Sequence, residues 1–120
     1  MSALRITIRV ATTGPVLELA GDLDYDQAPR LRQALETLSL QPGQRLVMDL
    51  SRIQFCDSSG ITALVVARNL AAGARADIAL AGVPGNTVRI LRIVGLDKVF
   101  PLHPDVDTAV AARPTTGPPC

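Results

Sequence analysis

Aromatic residues are almost missing from this chain. Tyr25, Phe55 and Phe100 are the only three, and tryptophan is absent. Since 48% of its 120 residues are nonetheless hydrophobic, the core is expected to be aliphatic and the chain to form one domain. Histidine is nearly missing as well. His103, beside Pro104, has no second histidine to work with. That leaves no general base for a serine or cysteine nucleophile, and no set of zinc ligands. No Gly-x-Ser-x-Gly elbow and no phosphate-cradling glycine loop with its lysine occur. The chain is therefore expected not to be an enzyme, and to need no metal and no cofactor.

Charge of one sign is lacking too. A net charge of +1 offers no electrostatic footprint for nucleic acid or for an anionic membrane. No apolar run reaches the roughly 18–20 residues that cross a bilayer, and the N-terminus has no charged-then-apolar leader pattern. The cysteines, Cys56 and Cys120, are far apart, which suggests a reducing, cytoplasmic setting rather than a disulfide scaffold. Lysine is confined to Lys98, a compositional bias with no functional content.

What is present is an alternation of strands and helices. Ile6, Ile8 and Val10 alternate with Arg5, Thr7 and Arg9, the pattern of a half-exposed strand at a sheet edge. A turn at Thr12-Thr13-Gly14-Pro15 leads to a strand at Val16–Ala20, its antiparallel hairpin partner. Ala28, Leu31, Leu35 and Leu38 fit one helix face, with Pro29 in the first turn and Asp24 or Asp26 as cap. A buried strand at Leu46–Leu50 precedes a helix that Asp57 caps and Gly73 closes. A further buried strand over Asp77–Val83 leads to a third helix capped by Asn86 or Thr87 and ending at Gly95. Val99, Phe100 and Leu102 read as a short edge strand, and 105–112 as a last helix. This order predicts an α/β fold: a mixed, mostly parallel sheet of about five strands, opened by an antiparallel hairpin and covered by about four helices. Residues 1–112 are expected to be the domain and 113–120, rich in proline and threonine, a disordered tail.

The organising stretch is Leu46 to Ile61. A buried strand ends in Asp57-Ser58-Ser59-Gly60, where a helix begins. At about 100° per residue, Ile61, Leu64, Val65 and Ala72 share one side of that helix. Ala63, Val66 and Leu70 form a second apolar stripe, expected to pack on a neighbouring helix. Ser58 and Ser59 are small polar residues suited to a capping turn. Capping is the favoured reading by residue type alone, and the sharper one is a phosphoacceptor, because a helix N-terminus tolerates negative charge. Asp22, Asp24 and Asp26 lack the remainder of a calcium loop and are expected to serve in capping and solvation.

These residues carry a resemblance. Val47-Met48-Asp49-Leu50 followed by Phe55-Cys56-Asp57-Ser58-Ser59-Gly60-Ile61 resembles the STAS domain of bacterial anti-sigma factor antagonists. Gly21-Asp22-Leu23-Asp24 with Ala28 and Leu31 resembles its second signature, and Val88, Leu91, Gly95-Leu96 and Phe100 its third helix and last strand. The resemblance covers about residues 4–112. It implies a cytoplasmic, non-enzymatic regulator that binds an anti-sigma factor with serine kinase activity while unphosphorylated. It also implies Ser58 as the phosphoacceptor, a serine phosphatase that resets it, and a monomer when free. Asp22, Asp24, Asp57, Ser58, Ser59 and Gly60 would form the partner-binding face. The alternative within the same resemblance is a STAS scaffold subunit of a lipid-transport ABC complex. Asp22 stands where glutamate is frequent in the family, and Gln27 where serine or threonine is.

Overall fold

The computed structural model describes residues 3–112; the tail assigned to 113–120 lies outside them. Five strands form one sheet in the order of the chain: β1 (Arg5–Ala11), β2 (Gly14–Leu23), β3 (Arg45–Cys56), β4 (Asp77–Ala81) and β5 (Leu102–His103). The first two pair antiparallel and every later pair is parallel. The connections are α1 (Ala28–Glu36), α2 (Ser58–Gly73) and α3 (Gly85–Ile93), the last followed by a 3₁₀ turn at Leu96–Lys98. A short α4 (Val106–Ala111) ends the described chain.

Alternation along the strands sorts the side chains into two cores. Leu17 and Leu19 of β2, Leu46, Met48 and Leu50 of β3, and Ile78 and Leu80 of β4 face α1, α2 and α3. Val16, Val47, Ala79 and Ala81 point the other way and meet Ala109 of α4. β2 and β3 run several residues beyond their expected ends. The reason is a pair of register shifts: Glu18 pairs with Asp49 but Ala20 with Arg52, and a second shift separates Gly21 from Asp22. Such irregularities let Leu50 and then Ile53 face the same core, so the period-2 signal is lost although the ladder continues.

Helix boundaries differ in detail. The residue before α1 is Gln27, without a side-chain cap; the Asp24 carboxylate instead accepts from the Gln27 N–H at 3.0 Å, one turn early. Gln27 also accepts from the Leu4 N–H at 3.3 Å, and Arg30 donates to the Leu4 carbonyl, tying the start of the chain to α1. Pro84, not Asn86 or Thr87, precedes α3. After α2 the left-handed residue is Arg75, not Gly73.

The face that α2 presents to the sheet runs through Gly60, Leu64, Ala67 and Ala71, so that of the first stripe only Leu64 is central. Other stripe residues flank it. Ala63 is buried and Val66 half-buried towards the α1 side, while Leu70 is 39% exposed. On the other flank Ile61 and Val65 line a groove together with Ile90 of α3. Alanine and glycine along the central line let a helix lie close to the sheet, a role that hydrophobicity alone does not reveal.

Candidate functional site

The strands of this sheet follow chain order and α1–α3 lie on one face, so no crevice opens where helices change sides. The polar residues gather instead on a rim, where β2 and β3 end and α2 begins. Leu23 and Cys56, the last residues of these strands, are register partners. Asp57 follows in extended conformation, and one of its carboxylate oxygens accepts from the N–H groups of Ser59 at 2.8 Å and Gly60 at 3.1 Å. Its other oxygen accepts from the Tyr25 N–H at 3.3 Å. Asp57 thus caps α2 and pins the loop after β2 beside it. Gly60 is required by space: a Cβ there would sit 2.5 Å from the Leu23 carbonyl oxygen and 2.8 Å from the Cys56 sulfur.

The expected site residues converge unequally. Asp57, Ser58, Ser59 and Gly60 form the first turn of α2 and its cap. Asp24 lies in the loop tied to them through Tyr25, with its own carboxylate turned inward to Gln27. Asp22 sits within β2, paired in register with Phe55. The two serines face different surroundings. Ser58 is exposed and borders a groove of about 420 Å³ between α2 and α3, lined by Ile61, Val65, Ile90, Val94 and Leu96. Among the described residues no basic residue lines it. Ser59, half-buried, borders a cleft of about 400 Å³ towards α1, with Tyr25, Asp26, Pro29 and Arg32. Sequence reasoning gave the two serines no distinct surroundings and missed the α3 half of the Ser58 groove. The exposed Ile90, Ile93 and Val94 on an otherwise polar helix surface were the available signal.

Reactive groups on the rim are quiet. Burial, and then the charge of Asp57, push the Cys56 thiol up to about 11, so it stays protonated at neutral pH. His103 lies half-buried on β5, paired with Ala81 and away from both serines in the fold. Among the described residues no group of three His, Cys, Asp or Glu is placed to hold a metal ion, and no helix is long and apolar enough to cross a membrane. What the rim offers is an exposed hydroxyl at a helix N-terminus beside an apolar groove. That arrangement suits recognition of another protein, and a charge added at the hydroxyl would alter it.

Comparison with known proteins is consistent with this geometry. The protein-family model described as "Mlab, STAS domain" matches residues 6–104. A STAS-domain containing protein of Pseudomonas aeruginosa is 30% identical over 84 residues, 70% of this chain and 82% of its own. The anti-sigma-B factor antagonist of Listeria monocytogenes is 28% identical over 82 residues, 68% of this chain and 72% of that one. Among solved structures, an anti-sigma factor antagonist from Mycobacterium paratuberculosis superimposes with a TM-score of 0.79 at 29% identity, covering 93% of this chain and all of its own.

Proposed function

This chain belongs to the STAS-domain family, and we propose that within it the protein is an anti-sigma factor antagonist switched by phosphorylation of Ser58. In the unphosphorylated state it binds, in the cytoplasm, an anti-sigma factor that is also a serine kinase, and so releases a sigma factor for transcription. It works by binding rather than by catalysis, and is a monomer when free. The partner face comprises Asp22, Asp24, Asp57, Ser58, Ser59 and Gly60, extended by the groove between α2 and α3. A serine phosphatase restores the binding form.

The observation that carries this reading is the setting of Ser58: exposed, in the first turn of a capped helix, on the edge of an apolar groove that no cation lines among the described residues. A phosphoryl group adds about −1.5 to −2 charges. The helix N-terminus favours it by roughly 0.3–1 kcal/mol, and Asp57 opposes it by a comparable amount, so the domain stays folded. Covering the same group with a partner, beside Asp57 and without a matching cation, costs several kcal/mol, or orders of magnitude in affinity.

The test begins with intact-mass and peptide mass spectrometry after incubation with ATP and host extract. One phosphoryl group on Ser58, absent from Ser58→Ala, is expected. The kinase so captured is then titrated calorimetrically with wild type and with Ser58→Asp. Equal affinity of the two would sink the switch. Co-purification with an ABC ATPase subunit that ignores the state of Ser58 would establish the scaffold reading instead.

A further inference from the structure

The sheet face opposite α1–α3 is only partly covered. α4 packs over Val16, Val47, Ala79 and Ala81, leaving the β1 side and the far ends of β2 and β3 without a helix among the described residues. There the register places three residues in one row: Arg5 pairs with Ala20, and Ala20 with Arg52. Residues directly opposite each other in a sheet point to the same face, so two arginines flank one alanine, with Cα atoms roughly 10 Å apart. Two adjoining depressions, of about 460 and 480 Å³, share Arg5, Ala20, Ser51 and Arg52 in their linings.

Neither guanidinium has an ion-pair partner among the described residues. The nearby carboxylates are engaged elsewhere. Glu18 lies 3.6 Å from Arg9, and Asp49 accepts from the Ser51 N–H at 3.0 Å. We propose that Arg5 and Arg52, closing over Ala20, bind the phosphate group of a small phosphorylated molecule. Paired guanidiniums match phosphate oxygens in charge and in fork geometry, and a methyl group between them leaves the space such a group needs. Glu18 and Asp49, in the next row on the same face, limit the ligand's extent. Both carboxylates line the second depression, so a nucleic acid laid across the sheet would meet them, whereas a compact anion fits the first depression, whose lining holds Arg5 and Arg52 but neither Glu18 nor Asp49. This site is separate from the Ser58 rim and stands whether or not that reading holds.

The test is a titration of the isotope-labelled 120-residue chain with pyrophosphate, and in parallel with ATP, followed by amide chemical shifts. Shifts centred on Ala20, Gly21 and Ser51–Gln54 are expected. Arg52→Gln should weaken binding about tenfold or more, and the double variant with Arg5→Gln should abolish it. Ser58→Ala should leave it unchanged. Both arginines are exposed, so circular dichroism is expected to show the variants folded. Tighter binding of ATP than of pyrophosphate supports a nucleoside-bearing ligand, and equal binding supports recognition of the phosphate alone. Shifts confined to Ser58–Gly60, shifts that persist in the double variant, or none up to millimolar ligand would each overturn the proposal.

Discussion

The two faces of the sheet are built on different principles. One is covered by three helices over a continuous layer of large side chains, with Leu17, Leu19, Leu31, Leu46, Met48, Leu64, Leu80 and Leu91 fully buried. The other is partly covered by α4, six residues long, over valine and alanine. Where the apolar area is small, directed hydrogen bonds replace it. Arg45, 6% exposed, donates to the carbonyls of Ala109 at 2.7 Å and Ala112 at 2.8 Å, closing the C-terminal end of α4. Stability is therefore expected to reside on the first face, and attachment of α4 on a few polar contacts.

The sharpest way to break this comparison is to excise bulk from each face in turn. Leu64→Ala is expected to lose about 2–5 kcal/mol in urea unfolding. Val47→Ala, which removes fewer atoms under α4, should cost less than half as much; equal losses would mean that the faces contribute alike. Arg45→Met comes next, at about 1.5–3 kcal/mol, because it deletes charge-assisted hydrogen bonds and leaves the buried Ala109 carbonyl without its donor. Hydrogen exchange should show the loss concentrated in α4.

The same contrast explains how far the sequence could be read. The succession of strands and helices along the chain, the opening hairpin and the Asp57 cap were legible because each rests on local signals: alternation, a tight turn and a capping residue before a helical period. The full lengths of β2 and β3 were not, because the register shifts at Glu18/Ala20 and Gly21/Asp22 break the period while the ladder persists. The central face of α2 was hidden by its small residues, Gly60, Ala67 and Ala71, which a hydrophobicity pattern ranks below Ile61 and Val65. Arg45 gave no signal, since a buried arginine is recognisable only once the carbonyls it meets, 64 to 67 positions away, are in place. The two serines looked alike in sequence. Only the packing of α1 and α3 on either side of α2 gives Ser58 an apolar groove and Ser59 a cleft with Arg32.

The rim joins elements of the larger face, and its cap makes a smaller contribution. Asp57→Ala should cost about 0.5–2 kcal/mol and release the loop at Tyr25, while Asp57→Asn should retain most of the capping. At the N-terminus of α4 the Asp105 carboxyl is held below the usual aspartate range, first by the N–H of Thr108 and then by the Thr108 side chain. A folded value below the unfolded one means that the contribution is complete above the ordinary value of 3.8 and is lost as pH falls through the lowered one. Protection of α4 amides is thus expected to decline under acid before that of β3. Asp105→Asn should remove this pH dependence, and persistence of the decline would assign it to another group.

The smallest effect expected on stability belongs to Ser58→Asp. Its added charge gains from the α2 N-terminus and loses to Asp57 by similar amounts, leaving a net change within about 0.5 kcal/mol. Ser59→Asp enters a cleft lined by Arg32 as well as Asp26, whereas no cation lines the Ser58 groove among the described residues, so the new carboxylate at 59 should be the more favourable of the two. Adding salt should shrink the gap between the variants, since the Arg32 contribution is screened. If the order were reversed, the two sides of α2 would not differ in the way their linings indicate. If Ser58→Asp unfolded the domain, loss of partner binding in that variant would say nothing about a switch. The near-neutrality of this substitution is what allows the effect of charge at Ser58 on binding to be read by itself.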